Sequence, residues 1–213
     1  MEQLEEVLSG TTFPTPTDLR ELLQRYNESP ADRESVLEEI NRRFSKRLAV
    51  LVLDTCGFSR AVRGRGIVHF MALLERLERV VRPGIESHQG RVLRREADNV
   101  YAVFDDPASA VEAARRIIAD VRAANEALPQ DEEVEISIGI GYGDLLTVGH
   151  NDVWGDEMNL ASKLGEDVAE CGEILLTPAA HDAVEHARDD LEERTVTVSG
   201  LELTAYRVAG SGD

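Results

Sequence analysis

Two aspartates that adjoin apolar segments are the residues best suited in this sequence to do chemistry. Asp54 directly follows the apolar run Ala49–Leu53, and Asp98 lies between the strand-like segments 91–94 and 100–104. If these segments form a hairpin beside the first strand, the two carboxylates meet at one end of a sheet, where ligand sites are often built. Mg²⁺ prefers hard oxygen ligands and takes one or two protein carboxylates. The pair therefore predicts a metal site, with ordinary turn aspartates bonded to local backbone as the alternative.

The elements that would position these aspartates can be read from apolar spacing. An uninterrupted apolar run bounded by turn residues predicts that 49–53 is a strand buried on both faces. Apolar residues at helical spacing predict a helix over 67–81, which Pro83-Gly84 would interrupt or end. Strand and helix patterns then alternate to the end of the chain. The order predicts an α+β sandwich with a central, mostly antiparallel sheet.

Charge and composition exclude several classes of partner. The 213 residues carry a formal net charge of −18, which argues against nucleic acid or an anionic membrane as the main partner. No apolar run approaches the ~20 residues that span a bilayer, and the acidic start is unlike a signal peptide. Two cysteines are too few for a disulfide framework or a zinc cluster. We therefore expect a cytoplasmic protein with reduced thiols.

The chain divides by pattern into an extension and a larger domain. Residues 1–46 contain a Pro/Thr-rich linker followed by two short helical patterns. Because this segment is too short for a ligand-binding domain of its own, we expect a helical extension that packs on the rest or on a dimer mate, with a sensor role as the alternative. Residues 47–213 form the second domain.

Three blocks of sequence resemble one family. Residues 54–59, DTCGFS, resemble the D-I-x-G-F-T segment of class III nucleotidyl cyclases, the adenylate and guanylate cyclase catalytic domains. Residues 94–98, RREAD, stand where that family has K-x-x-G-D. Residues 152–163, DVWGDEMNLASK, are similar to its D-x-W-G-x-x-V-N-x-A-x-R segment. The blocks come in family order, and the resemblance covers about residues 47–208.

The resemblance implies a fold, a reaction and an assembly. The fold would be ferredoxin-like, shared with palm-type polymerases. The reaction would convert a nucleoside triphosphate to its 3′,5′-cyclic nucleotide and pyrophosphate, with two Mg²⁺ or Mn²⁺ ions per site held by Asp54 and Asp98. The site would lie between two head-to-tail protomers, so that a homodimer with two equivalent sites follows. One protomer would supply the aspartates, and the other the base pocket and the remaining polar groups.

The remaining site residues are carried over from the matching positions. Asn159 would orient the ribose, and Lys163 would contact the phosphate in the transition state. Asp152 would accept a hydrogen bond from the exocyclic amine of adenine, which favours ATP as the substrate. Arg94 occupies the other base-selecting position. Backbone amides of the turn after the first strand would hold the polyphosphate, and its residues are Thr55, Cys56, Gly57, Phe58 and Ser59.

Several positions depart from the family pattern. Lys163 replaces an arginine and loses its planar fork, Arg94 replaces a lysine, and Ala97 replaces a glycine before the second aspartate. Ser199 stands where many members have a lysine that contacts the terminal phosphates, and the connection between Gly143 and Asp152 is short. Two alternatives follow: a cyclase of UTP or CTP, like the pyrimidine cyclases of phage defence, or an inactive nucleotide-binding or dimerisation module.

Overall fold

The computed structural model describes residues 14–57, 66–129, 132–184, 191–198 and 200–211. Three predicted positions, Phe58, Ser59 and Ser199, lie outside the described residues. The helices are α1 (Pro16–Glu28), α2 (Arg33–Phe44), α3 (Ile67–Ser87), α4 (Pro107–Asn125), α5 (Asp156–Lys163) and α6 (Pro178–Ala183). The strands are β1 (Ser45–Thr55), β2 (Arg91–Glu96), β3 (Asn99–Phe104), β4 (Ile136–Val148), β5 (Asp152–Trp154), β6 (Ile174–Leu176), β7 (Leu191–Val198) and β8 (Leu201–Val208).

Within the described ranges, the strands form one mixed sheet. Its order is β2-β3-β1-β4-β6-β8-β7, and β5 pairs with β4 off this path. The pairs β1/β3, β2/β3, β4/β5, β6/β8 and β7/β8 are antiparallel, whereas β4 and β6 run parallel. The predicted α+β class with a mostly antiparallel sheet is confirmed.

Strand β1 is buried on both faces, as its unbroken apolar run predicts. Leu51 and Leu53 join the main core with apolar side chains of α3 and α4, because alternate strand residues point to one face. Val52 is fully buried on the opposite face. There Gly165, in a π-helical segment (Leu164–Val168) after α5, lies so close that an added Cβ would come within 2.8 Å of the Val52 carbonyl oxygen.

One local feature differs from the sequence-based expectations, and a second concerns the turn before Asp98. Helix α3 continues through Pro83 to Ser87, since packing of Gly84 against Ile117 of α4 supports the last turn. The β2–β3 turn places Ala97 at φ 52°, a left-handed conformation that costs a non-glycine residue energy. No helix within the described ranges is long and apolar enough to span a bilayer.

The chain separates into two compact units. Of the residues that the structure describes, one unit comprises those within 14–46 and 144–155, and the other comprises those within 47–143 and 156–211. In the first unit, a small core joins α1 and α2 to the end of β4, and its buried members are Leu22, Val36, Ile40, Phe44 and Val148. The Thr147 hydroxyl donates to the Phe44 carbonyl at 3.0 Å. The helical extension therefore shares a core with the β4–β5 hairpin.

Candidate metal and nucleotide site

Asp54 and Asp98 come together as the sequence predicts. Strands β1 and β3 pair with Leu53 opposite Val100, so Asp54 lies near the end of β1 and Asp98 in the turn that precedes β3. The negative charge of Asp98 acts on the Asp54 carboxyl group, so the two side chains lie close together. The Thr55 hydroxyl donates to Asp98 Oδ2 at 2.7 Å, and Asp98 is 9% exposed. Two acids thus lie together at one end of the sheet, with Asp98 buried and Asp54 half-buried.

The pKa of Asp54 is raised from 3.8 to about 7. Burial is the largest cause, because it penalises the charged carboxylate. The negative charges of Asp98 and then Glu166 raise the pKa of Asp54 further. A bound cation would offset both effects. The paired acids therefore carry a local negative charge that a cation would neutralise.

Glu166 is a site residue that the sequence analysis missed. It lies in the π-helical segment, and its Oε1 accepts a hydrogen bond from the Tyr101 hydroxyl at 3.2 Å. The Ser137 hydroxyl fixes this segment by donating to the Gly165 carbonyl at 2.9 Å. Burial and the charges of Asp167 and Asp98 raise the pKa of Glu166. A π-helical turn changes the side-chain phase of a helix, so simple helical spacing gave no signal for this residue.

Helix α5 presents Asn159 and Lys163, four residues apart and both exposed. The Lys163 ammonium pairs with Asp167 at 2.8 Å. The start of α5 is held by Glu157, whose Oε2 accepts from the Tyr142 amide at 3.1 Å and from the Thr177 hydroxyl at 2.6 Å. Glu157 lies two residues before Asn159 on the same helix. Its hydrogen bonds therefore fix the position of Asn159 relative to β4.

Arg94 already has partners within its own chain. Its Nε donates to Glu96 at 2.7 Å, and its guanidinium lies over the Tyr101 ring, 4.4 Å from the centroid. Tyr101 also donates to Glu166. Tyr101 thus contacts both Arg94 and Glu166, and the negative charge of Glu166 acts on Asp54.

Asp152 belongs to the first compact unit. It opens β5, is exposed, and pairs in register with Val148 of β4. Trp154, at the other end of β5, is 63% exposed. Pairing with β4 thus fixes the backbone of this short strand. The side chains at its two ends, Asp152 and Trp154, are exposed within the first compact unit.

The turn after β1 corrects one expectation. Cys56 is disulfide-bonded to Cys171, with 5.9 Å between their Cα atoms, so the prediction of reduced thiols is wrong for this structure. Thr55 ends β1, and Gly57 adopts φ 79°, which glycine tolerates without strain. Three of the five predicted polyphosphate residues are therefore described.

The donor set suits a hard divalent cation. The described residues contain no group of three or more His, Cys, Asp or Glu side chains arranged to hold a metal ion. Asp54 and Asp98 offer two carboxylates, which is the number that Mg²⁺ sites in nucleotide enzymes use, with water and phosphate oxygens supplying the rest.

Comparison with known proteins places this fold. A protein of Rhizobium meliloti (strain 1021), named provisionally as adenylate cyclase 3, is 33% identical over 156 residues, which are 73% of this chain and 25% of that protein. An adenylate/guanylate cyclase/hydrolase structure from Silicibacter pomeroyi superposes with a TM-score of 0.68 at 22% identity, covering 78% of this chain and 98% of that one. The guanylyl cyclase Cya2 structure gives a TM-score of 0.67 at 21% identity, covering 79% and 94%. No protein-family model matches the chain.

The described chain has the fold of adenylate and guanylate cyclase domains. With the sequence relative and the three ordered motifs, this fold places the chain in the class III nucleotidyl cyclase family. The chain spans a quarter of the length of that curated relative.

Proposed function

We propose that the chain is a nucleotidyl cyclase that converts a nucleoside triphosphate, with ATP as the expected substrate, to the 3′,5′-cyclic nucleotide and pyrophosphate. The observation that carries the proposal is the pairing of Asp54 with Asp98 at one end of a cyclase-type sheet. Two neighbouring carboxylates, of which Asp54 has a raised pKa, are unfavourable alone and become favourable when they hold cations.

Asp54 and Asp98 would hold two Mg²⁺ or Mn²⁺ ions. When bound, such ions lower the pKa of the ribose 3′-hydroxyl and neutralise phosphate charge. The protein's own groups hold the reactants. The backbone of Thr55–Gly57 would carry the polyphosphate, and the amide of Asn159 would orient the ribose, which brings the 3′-oxygen toward the α-phosphorus.

The ammonium of Lys163 would stabilise charge that grows on the phosphate oxygens in the transition state. Its bond to Asp167 is an exposed pair four residues apart on one helix. Such exposed pairs contribute little to stability, because solvent screens their charges. Lys163 can therefore exchange this carboxylate for a substrate phosphate at little cost.

Recognition of the base would fall to Asp152 and Arg94. An aspartate accepts a hydrogen bond from the exocyclic amine of adenine, which supports ATP as substrate. Arg94 is held by Glu96 and Tyr101, so its planar guanidinium presents a defined edge. By analogy with the family, these residues and the aspartates come from opposite protomers of a homodimer.

A nucleotide panel tests the proposal. The full chain is incubated with ATP, GTP, CTP or UTP and with Mn²⁺ or Mg²⁺, and cyclic products are identified by mass spectrometry. We expect cyclic AMP as the main product, its loss in Asp54→Asn, and its retention in Asp105→Asn, which alters an exposed acid outside the site. A preference for UTP or CTP would replace ATP with a pyrimidine substrate.

A nucleotide-binding module without turnover is the second candidate. The observation that favours it is that both carried-over cations, Arg94 and Lys163, are paired with acids of the same chain. Lys163→Arg restores the bidentate fork and is expected to raise kcat if the chain is an enzyme. If neither the parent nor Lys163→Arg forms a cyclic product while both bind Mn²⁺–ATP, the binding module is the correct function.

A further inference from the structure

We propose that Cys56 and Cys171 form a reversible redox modification site, whose disulfide tethers the turn after β1 and strengthens the binding of the metal–nucleotide there. The proposal that Cys56 and Cys171 form a redox pair does not depend on the proposed cyclase function. Its effect on binding rests on the proposed function, because that function makes the turn a polyphosphate site.

The tether joins two segments that flank the start of β4. The Cys56 amide donates to the Glu135 carbonyl at 2.9 Å, and the Gly172 amide, next to Cys171, donates to the Ile136 carbonyl at 2.7 Å. Backbone hydrogen bonds thus hold both cysteines beside one another, 115 residues apart in sequence. A Cα separation of 5.9 Å lies in the range that a disulfide needs. Once reduced, the thiols stay close enough to re-form the bond.

The bond is open to exchange from one side. Cys171 is exposed and lines an open cavity of about 360 Å³, whose wall also contains Arg122, Glu133 and Glu135. A small dithiol fits a space of this size. Exchange requires access of a thiolate to one sulfur, and exposed disulfides are the ones that are labile or regulatory rather than structural.

The chemistry is a balanced thiol–disulfide exchange. A thiolate of a dithiol reductant attacks the Cys171 sulfur, and the Cys56 sulfur leaves with the electron pair as a thiolate that takes up a proton. The second thiol of the reductant then displaces Cys171 from the mixed disulfide. Two electrons and two protons pass to the protein, and the dithiol becomes a disulfide. Glutathione disulfide reverses the process and leaves as two molecules of glutathione.

The tether acts close to the paired aspartates. Cys56 is two residues from Asp54 and one from Thr55, whose hydroxyl donates to Asp98. It is also the last residue before Gly57, where the chain takes a positive φ. Fixing Cys56 restrains the backbone that would meet the polyphosphate, and an ordered binding loop loses less entropy when ligand binds. The oxidised form is therefore the tighter binder.

The first measurement establishes the pair. The full chain is equilibrated in glutathione buffers of graded redox ratio, free thiols are alkylated, and peptides are analysed by mass spectrometry. We expect an intramolecular Cys56–Cys171 peptide that disappears reversibly as the buffer becomes more reducing. Free thiols throughout, or disulfides only between molecules, would overturn the proposal.

The second measurement tests the tether. Calorimetric titration with Mn²⁺ and 3′-deoxy-ATP, which lacks the attacking hydroxyl, should give a Kd about threefold to tenfold lower for the oxidised chain. Cys171→Ser, which changes the partner outside the turn, should bind like the reduced chain and ignore glutathione disulfide. Equal Kd values in the two redox states would overturn the effect on binding.

A third readout separates this proposal from the proposed function. Amide hydrogen exchange at residues 55–57 should be slower in the oxidised chain and fast in Cys171→Ser, whether or not nucleotide binds. If the chain binds no nucleotide but shows this difference, the redox site stands and the cyclase assignment fails. Equal exchange in both redox states would overturn the tether itself.

Discussion

The carboxyl group of Asp54 sets how the proposed metal site would respond to pH. Its pKa is raised to about 7, first by burial and then by the charges of Asp98 and Glu166. Because a metal ion must displace the proton, Mn²⁺ affinity is predicted to fall by about tenfold between pH 8 and pH 6. Isothermal titration with Mn²⁺ at the two pH values measures this change. A Kd that is constant from pH 6 to pH 8 would refute the raised pKa.

Glu166 supplies the matched variant for this prediction. Glu166→Gln removes one of the negative charges that raise the pKa of Asp54, so the midpoint of the affinity–pH curve should move to lower pH. Glu170→Gln removes an exposed charge of the same type nearby in sequence and should leave the midpoint in place. Equal midpoints in both variants would mean that Glu166 lies outside the field of the site.

The same pKa has a consequence for stability. Since the folded pKa of Asp54 exceeds the unfolded value of 3.8, the folded state holds this proton more tightly. The contribution to the free energy of unfolding is fully present below about pH 4 and is lost as the pH rises through about 7. Asp54→Asn, which cannot ionise, should therefore melt higher than the parent at pH 8 and lose that advantage at pH 5. Thermal melts without metal at the two pH values measure the difference.

The packing of α5 and its π-helical continuation on β4 depends on Gly139. A Cβ at this position would lie 2.0 Å from the Ala161 carbonyl oxygen and 2.7 Å from the Gly165 amide. Both are backbone atoms, so Gly139→Ala must push the helix away from the strand. We expect a loss of about 1–3 kcal/mol in stability and a lower kcat, because Asn159 and Lys163 move with the helix.

Gly143 provides the control on the same strand. The three atoms nearest to its added Cβ all belong to the Glu157 side chain, with Cγ at 2.9 Å, so relief requires that side chain to move but not the backbone of α5. Gly143→Ala should therefore cost less stability than Gly139→Ala in parallel urea denaturations. Equal losses of stability in the two variants would show that Gly139 is not required for the close approach of the α5 backbone to β4.

The helical extension is predicted to stabilise the hairpin that carries Asp152. Phe44 is fully buried in the core that α1 and α2 share with Val148. Phe44→Ala should remove about 3–5 kcal/mol of local stability, and amide exchange should accelerate in 16–44 and 146–154. Leu37, on the same helix, is 49% exposed, so Leu37→Ala should change exchange little. Unchanged exchange over 146–154 in Phe44→Ala would mean that the hairpin is stable without the extension.

The sequence predicts those parts of the fold that depend on interactions between residues close together in the chain. The buried strand β1, the hairpin and the Asp54–Asp98 pair follow from apolar runs and turn residues, which act over a few residues. Helix α3 was predicted to break at Pro83 because the tertiary contact of Gly84 with Ile117 leaves no mark in the local pattern. Tertiary packing commonly overrides such propensities.

The site residues that sequence missed are brought in by long-range contacts. Glu166 meets Tyr101 across 65 residues, and Cys171 meets Cys56 across 115. Two cysteines alone gave no reason to pair them, since a lone pair has no spacing pattern. The motif resemblance identified the candidate residues within the three sequence blocks. Glu166 and Cys171 became apparent only from the folded structure.

At the scale of the whole molecule, we propose that the site is built from two protomers. If Asp54 and Asp98 act with Asn159 of a second copy, two inactive variants can complement each other. In a mixture of Asp54→Asn and Asn159→Ala chains, a heterodimer has one site with both changes and one site with neither. Random exchange makes half of the dimers mixed, each with one intact site of two, so about a quarter of the parent activity should return.

A second mixture provides the control. It distinguishes recovery at a site built from two chains from recovery caused by stabilisation of one variant by the other. Asp54→Asn mixed with Asp98→Asn leaves a damaged aspartate pair in both sites of every dimer, so no activity should return. Cyclic nucleotide formation is measured after the variants are mixed, with exchange confirmed by native mass spectrometry. Recovery in the first mixture alone supports a site built from two chains. Failure in both mixtures, with mixed dimers present, would mean that each chain holds its complete site and that head-to-tail assembly is not required for turnover.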